Sequence, residues 1–133
     1  MREINQFILK QAEKLDYIVK ANAPSDIREV VNHSQLVIWN GASDQTIFGN
    51  ELVNFAFRAL HDAMHKITRL GFTVQEEIEL GRIQAAQYSG FLADLVFIEV
   101  AKQAEFYLKN GVFVSNQVEF TKKELIKLNY KVA

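Results

Sequence analysis

The strongest constraint on the fold is an apolar stripe in the middle of the chain. Between Phe48 and Leu70, apolar residues recur at steps of three and four positions, which is typical of one buried face of an amphipathic helix. The stripe consists of Phe48, Leu52, Phe55, Ala59, Ala63, Ile67 and Leu70. The pattern predicts one long helix over residues 48–70, and the rest of the chain must cover its apolar face.

A tight turn and a second helix are predicted directly after this stripe. Gly71 stands where a helix would end on a residue in the left-handed conformation. Thr73 and Glu76 have the spacing of a capping box, so a new helix is expected to begin near Val74. Two long helices joined by so short a turn are expected to form a central antiparallel hairpin.

Weaker patterns complete the fold. They predict helices over residues 3–19, 26–31, 91–109 and 118–128, the last with a second capping box at Thr121 and Glu124. Residues 35–39 are rich in β-branched and aromatic side chains and indicate a strand or a buried extended segment. If this segment is a strand it needs a partner, and residues 112–114 would supply one.

Chain length and apolar content favour one domain. The chain has 133 residues, of which 49% are hydrophobic, and its 10 phenylalanines are bulky core material. This size is close to the commonest size of a domain. We therefore expect a single domain over residues 1–133, mainly α, built as a compact bundle of about five helices with room for one short β pair.

The charge distribution does not favour binding of nucleic acid. Fifteen basic and 16 acidic side chains are interspersed and give a formal net charge of −1. Nucleic-acid binding needs a basic surface, and the densest basic segment here is interrupted by acidic residues. That segment contains Lys122, Lys123, Lys127 and Lys131, with Glu119 and Glu124 among them. A solvated helix face is the favoured interpretation.

The cellular compartment is constrained by what the sequence lacks. There is no cysteine, which excludes disulfides and thiolate metal sites and suits a reducing compartment. The first residues do not have the pattern of a signal peptide, and no apolar run is long enough to cross a membrane. We therefore expect a cytoplasmic protein without membrane contact.

A polar stripe on the long helix contains the candidate functional residues. Asn54, Arg58, His61, His65 and Arg69 follow one another at steps of four, three, four and four residues, beside the core face. Two histidines one turn apart have the spacing that lets both imidazoles bind one divalent metal ion. The stripe therefore predicts a metal site at His61 and His65.

The remaining roles follow from the neighbouring residues. Glu77, in the first turns of the next helix, is the favoured third ligand for Zn²⁺ or Mn²⁺. Asp62 would either bind the metal through a carboxylate oxygen or orient a histidine or activate a bound water. Arg58 would bind an anionic substrate group. In the simpler interpretation, Arg58 and Asp62 form an ordinary helix ion pair and the two histidines decorate a partly exposed face.

Residues 60–67 resemble the His-Asp step of the HD-domain phosphohydrolases. That resemblance implies a metal site that joins the His61-Asp62 pair to an upstream histidine and a downstream aspartate, which would be His33 and Asp94. The segment from His61 to His65 is also similar to the His-Glu-x-x-His helix of zinc metalloproteases, with Asp62 at the position of the general base.

A broader likeness covers residues 50–125. The Arg-x-x-His-Asp-x-x-His pattern that begins at Arg58 resembles small uncharacterised helical proteins encoded by bacteriophages and related mobile elements. This resemblance implies a bacterial cytoplasmic setting and no established activity.

Two functions from different classes follow. The first is metal-assisted hydrolysis of a phosphoester in a small anionic substrate, at the site formed by His61, Asp62 and His65. The second is a non-catalytic phage or mobile-element accessory protein that binds a host protein or forms a homo-oligomer. So many phenylalanines in a small chain would allow an apolar interface for that role.

Overall fold

A computed structural model describes residues 1–132 and confirms a mainly helical fold with one short pair of strands. The chain divides after Phe72 into two compact units, the first from Met1 to Phe72 and the second from Thr73 onward. The two units are described separately. The single domain and the central hairpin expected from the sequence stay predictions.

The first unit is built around one long helix. Its elements are α1 (Arg2–Ala12), β1 (Tyr17–Lys20), α2 (Ile27–Asn32), β2 (Leu36–Trp39) and α3 (Glu51–Thr68). Helices α1 and α2 and strand β2 all pack against α3. The centre of this core contains Leu36, Ile38 and Ala59, with Leu15, Tyr17 and Ala63 packed against them.

The β pair was predicted, but its partner strand was not. Strand β2 pairs in parallel with β1, so that Tyr17 lies opposite Leu36 and Lys20 opposite Trp39. The proposed pairing with residues 112–114 is wrong, as is the continuation of the first helix to residue 19. Parallel strands need a crossover connection, which α2 supplies here. The β-branched Ile18 and Val19 suit an extended segment better than a helix.

Helix α3 is shorter than the predicted apolar stripe, and only some side chains of the stripe are buried. It begins after Asn50, whose side chain accepts a hydrogen bond of 2.8 Å from the Leu52 N–H. Leu52 and Ile67, both part of the stripe, are 62% and 75% exposed. The buried side chains of α3 include Phe55 and Ala59 from the stripe and also six residues outside it, which are Val53, Asn54, Ala56, Phe57, Met64 and His65. Because three elements surround α3, its buried face is wider than one stripe.

The left-handed residue after α3 is Arg69 with φ 62°, not Gly71 as predicted. For an L-residue this conformation costs about 1 kcal/mol. The Arg69 N–H donates to the His65 carbonyl at 2.8 Å, which closes the helix end. The turn that follows carries the chain back towards the His65 side chain, as described below.

In the second unit, the helices are α4 (Val74–Ala85), α5 (Gly90–Phe97), α6 (Gln103–Asn110) and α7 (Gln117–Lys127). A π-helical turn, Ile98–Lys102, joins α5 to α6. Helix α4 packs against α5, the π-helical turn and α6, and α7 contacts α5 and the π-helical turn. Within residues 1–132, no helix combines the length and the hydropathy needed to cross a membrane.

Two cap predictions had different outcomes. Thr73 caps α4 as predicted, because its side chain accepts a hydrogen bond from the Glu76 N–H at 3.2 Å. The second capping box is wrong. Asn116 caps α7 by accepting from the Glu119 N–H at 3.0 Å, and Thr121 lies fully buried inside the helix.

Gly81 permits a close approach between two elements of the second unit. A Cβ atom added at Gly81 would lie 2.8 Å from the Ala101 Cβ and 2.9 Å from the Ala101 backbone nitrogen. Helix α4 and the π-helical turn are therefore in backbone contact at this point. Any side chain larger than hydrogen at position 81 would force them apart.

Candidate metal centre on helix α3

His61 and His65 lie one turn apart on α3, and their rings face each other. The two Nε2 atoms are 3.1 Å apart, and the rings meet edge to face with centroids 4.7 Å apart. His65 is almost fully buried and His61 is partly buried. The histidine spacing predicted from the sequence therefore brings both imidazoles to one point.

A backbone carbonyl fixes the orientation of the His65 ring. His65 Nδ1 lies 2.7 Å from the Leu70 carbonyl oxygen. Because a carbonyl oxygen only accepts, Nδ1 must carry the hydrogen, which leaves the lone pair of a neutral ring on Nε2. The same arrangement orients histidine ligands in metalloproteins. The left-handed Arg69 turns the chain and so brings this carbonyl to the ring.

The rest of the His65 environment within the first unit is aromatic. The Phe72 ring packs edge to face on His65 with centroids 4.8 Å apart. His65 thus lies between an aromatic ring, the Leu70 carbonyl and the His61 ring, with its Nε2 directed at His61 Nε2. The sequence had not indicated Leu70, because a carbonyl acts through backbone conformation and not through residue type.

The distance between the two Nε2 atoms can be compared with metal coordination. Two nitrogens at about 2.0 to 2.1 Å from a tetrahedral Zn²⁺ lie about 3.3 to 3.4 Å apart. The observed separation is 3.1 Å. The pair therefore needs to open by only a few tenths of an ångström to hold one ion between the two rings.

Arg58 contacts the loop after β2. Its Nη1 donates to the Trp39 carbonyl at 2.7 Å and to the Gly41 carbonyl at 2.6 Å, and its guanidinium lies over the Trp39 ring. Burial lowers the pKa of Arg58, and the negative charge of Asp62 partly opposes that effect. The sequence foresaw a charged neighbour for Arg58 but not its contacts with the loop.

Asp62 shares a crevice with the third histidine, His33, whereas Asp94 belongs to the second unit. Asp62 and His33 both line a small crevice between α2, β2 and α3. Lys66 Nζ donates to the His33 carbonyl at 2.6 Å, while the His33 residue as a whole is exposed. Asp94 lies on α5 in the second unit and accepts a hydrogen bond from the Tyr130 hydroxyl.

Glu77 lies in the first turn of α4, in the second unit. Its N–H donates to the Thr73 carbonyl at 2.9 Å as part of the helix start, and its side chain is partly buried. The carboxylate and the two imidazoles together comprise the types of ligand that Zn²⁺ and Mn²⁺ accept in proteins.

Comparisons with known proteins give no family to which these residues can be assigned. No protein-family model, no curated protein and no solved structure matches the chain. Both the phage likeness and the HD-domain likeness therefore stay predictions, and the geometry of the site is the basis for a function.

Proposed function

We propose that His61 and His65 bind one divalent metal ion, Zn²⁺ or Mn²⁺, with Glu77 as the third ligand. The observation that carries the proposal is the 3.1 Å separation of the two Nε2 atoms, together with the Leu70 carbonyl that holds His65 in the tautomer a ligand needs.

The chain connection supports Glu77 as the third ligand. Thr73, which caps α4, directly follows Phe72, whose ring packs on His65. The Glu77 N–H bonds to the Thr73 carbonyl, so the carboxylate belongs to the first turn after that connection. Two imidazoles and one carboxylate are a combination of ligands that suits Zn²⁺ or Mn²⁺.

A catalytic role would follow if the protein left one coordination position of the metal ion open. Three protein ligands leave one position for water on a four-coordinate ion, and hydrolysis of a phosphoester is the chemistry such a site supplies. In this proposal Asp62, which follows His61 in the helix, orients a histidine or activates water. Arg58 contributes positive charge one turn away for a small anionic substrate, and its contacts with the loop hold that charge in place.

Metal binding tests the proposal directly. Protein purified without chelator or affinity tag would be analysed for metal content and titrated with Zn²⁺ and Mn²⁺ by calorimetry. His61→Ala and His65→Ala should each weaken binding by more than about 100-fold, since even loss of an orienting partner of a ligand costs about 10- to 100-fold. His33→Ala is the matched control and should bind as the wild type does.

The experiments test the ligand assignment and the catalytic role separately. Metal binding that survives both His61→Ala and His65→Ala would remove the ligand assignment. Glu77→Gln should weaken binding without abolishing it, because two imidazoles remain. Phosphoesterase activity, measured on chromogenic phosphomonoesters and phosphodiesters with the metal-loaded protein, tests catalysis separately. If the protein binds metal through both histidines but hydrolyses neither phosphomonoesters nor phosphodiesters, the metal site is supported and the hydrolase function is not.

A second candidate function is supported by exposed apolar side chains near the end of α6. Phe113 is 81% exposed and stacks on Tyr107, with Leu108 and Val112 also exposed nearby. Such a surface suits a phage or mobile-element accessory factor that acts in the cytoplasm by binding a host protein or forming a homo-oligomer. Light scattering should then show a mass that rises with concentration and that falls to the monomer in Phe113→Ser.

A further inference from the structure

Glu99 lies in the π-helical turn and joins it to α7. The Thr121 hydroxyl of α7 donates a hydrogen bond of 2.5 Å to Glu99 Oε1, and Gln103 Nε2 donates one of 3.1 Å to Glu99 Oε2. Thr121 is fully buried. We propose that these three residues form a pH-sensitive switch, here called the Glu99 switch, which holds α7 on the π-helical turn and loosens that contact as the carboxyl ionises.

The backbone at this point is unusual. The Gln103 N–H bonds to the Ile98 carbonyl, five residues earlier, so the turn is wider than an α-helical turn. Turns of this kind inside α-helices occur mostly as single insertions and frequently at functional sites. Here the wide turn carries Glu99, whose carboxyl meets α7, and Ala101, whose backbone meets Gly81 of α4.

The carboxyl is easier to bury as the neutral acid. The Glu99 residue retains some solvent exposure, but its carboxyl group is closely surrounded by protein atoms. That burial raises the pKa of Glu99 to about 7, and the hydrogen bond from Thr121 opposes the shift without cancelling it. Since a hydroxyl both donates and accepts, Thr121 can also accept a hydrogen bond from the protonated acid.

Among the described residues, no ion pair involves Glu99, and several charged side chains on the surrounding elements are paired with each other. The ion pairs are Glu79 with Arg82, Glu105 with Lys102, Glu119 with Lys123, and Glu124 with Lys127, and Asp94 accepts a hydrogen bond from the Tyr130 hydroxyl. Lys122, which follows Thr121, forms no ion pair with Glu99 in the described part of the chain. An ionised Glu99 therefore has hydrogen bonds but no counter-charge.

Other contacts of α7 are apolar or lie at its ends. Leu125 is buried, and Phe120 packs edge to face on Phe106 with ring centroids 5.6 Å apart. After α7, Tyr130 packs on Phe91 and donates to Asp94. These contacts stay when Glu99 ionises, so the switch should loosen α7 without unfolding the unit.

The direction of the pH effect follows from the two states of Glu99. When α7 is detached, the carboxyl meets water and titrates near its ordinary value of 4.5, whereas in the closed state its pKa is about 7. Between these values the closed state holds a proton that the open state has released. Detachment of α7 therefore becomes easier as the pH rises from 4.5 to about 7 and then changes little.

Hydrogen exchange of the α7 amides in the full chain tests the switch. After correction for the intrinsic exchange rate, protection of residues 117–127 should fall by up to about 100-fold between pH 4.5 and pH 8. Glu99→Gln cannot ionise and should abolish this dependence. Glu105→Gln, which removes an exposed carboxylate paired with Lys102, is the matched control and should keep it.

A second variant and a direct titration keep the proposal testable if Glu99→Gln does not fold. Thr121→Val removes the hydroxyl that stabilises the carboxylate, so the midpoint of the exchange profile should move to higher pH. The carboxyl carbon of Glu99, followed by NMR in the wild-type protein, should titrate near pH 7. Titration near 4.5, or wild-type protection that does not change with pH, would overturn the proposal.

Discussion

The His61–His65 pair and the Glu99 switch both bring a titratable side chain against a hydrogen-bonding partner, but they are assembled in different ways. The two histidines lie four residues apart on one helix, so helix geometry alone brings their rings together. Glu99 and Thr121 are 22 residues apart on different helices, so their contact depends on how α7 packs. A local pair can be read from spacing, whereas a tertiary pair cannot.

The chemical consequences differ as well. The imidazoles point their Nε2 atoms at each other at 3.1 Å, and imidazole nitrogens are atoms that divalent metal ions accept as ligands. Among the described residues, the carboxyl of Glu99 accepts hydrogen bonds from the neutral side chains of Thr121 and Gln103, and its burial raises its pKa to about 7. The first arrangement suits binding of a metal, and the second suits a response to pH. Three substitutions test this contrast between tertiary and local contacts.

The largest effect is expected at the tertiary contact between α4 and the π-helical turn. Gly81→Val would place a side chain where even a Cβ lies 2.8 Å from the Ala101 Cβ. We expect the free energy of unfolding to fall by about 3 kcal/mol, because the two backbones must separate. Chemical denaturation measures it. Gln75→Val, on the exposed side of the same helix, should change stability by less than about 0.5 kcal/mol. Equal effects for the two variants would mean that the close approach is unimportant.

A smaller effect is expected at Arg58. The sequence indicated this residue as functional but did not predict its contacts with the loop after β2. Arg58→Met keeps the aliphatic part of the side chain but removes the donors to the Trp39 and Gly41 carbonyls. The expected loss of stability is about 1.5 kcal/mol, the size of a charged hydrogen bond that is partly buried.

Trp39 reports on the Arg58 contacts directly, because it is the only tryptophan in the chain. Its fluorescence should change in Arg58→Met, since the guanidinium lies 5.2 Å from the ring centroid. Arg82→Met is the control, because Arg82 forms only an exposed ion pair with Glu79, and such pairs contribute little. An unchanged Trp39 spectrum in Arg58→Met would argue against the loop contacts.

The smallest effect is expected at a local contact, the cap of α4. Thr73→Ala removes the side chain that accepts from the Glu76 N–H and should cost about 1 kcal/mol. Ser89 precedes α5 in the equivalent position but makes no capping hydrogen bond through its side chain. Ser89→Ala should therefore leave the midpoint of thermal unfolding nearly unchanged, and a loss as large as that of Thr73→Ala would contradict the assignment.

The sequence predicted those parts of the fold that depend on neighbouring residues. The existence of α3 and α4, the Thr73 cap and the facing histidines all follow from steps of one to four residues. Each involves contacts that a single helix or turn makes with itself. Such features are nearly independent of how the helices pack.

Apart from the helix end placed at Gly71 and not at Arg69, the predictions that were wrong concern longer distances. Strand β1 was assigned to a helix, because Ile18 continues a helical apolar pattern and only its pairing with β2 shows otherwise. The apolar stripe of α3 included Leu52 and Ile67, which are exposed, because packing elements on several sides decide which face is covered. Thr121 was assigned to a cap, and its real partner lies in another helix.

By itself, therefore, the sequence determined that this protein is mainly helical and that His61 and His65 share one helix face, because both follow from the 3.6-residue period of the backbone. Only the packing of distant elements decided that Arg58 binds the loop after β2 and that Glu99 meets Thr121. These contacts depend on which surfaces exclude water together, and no local pattern of residues encodes that.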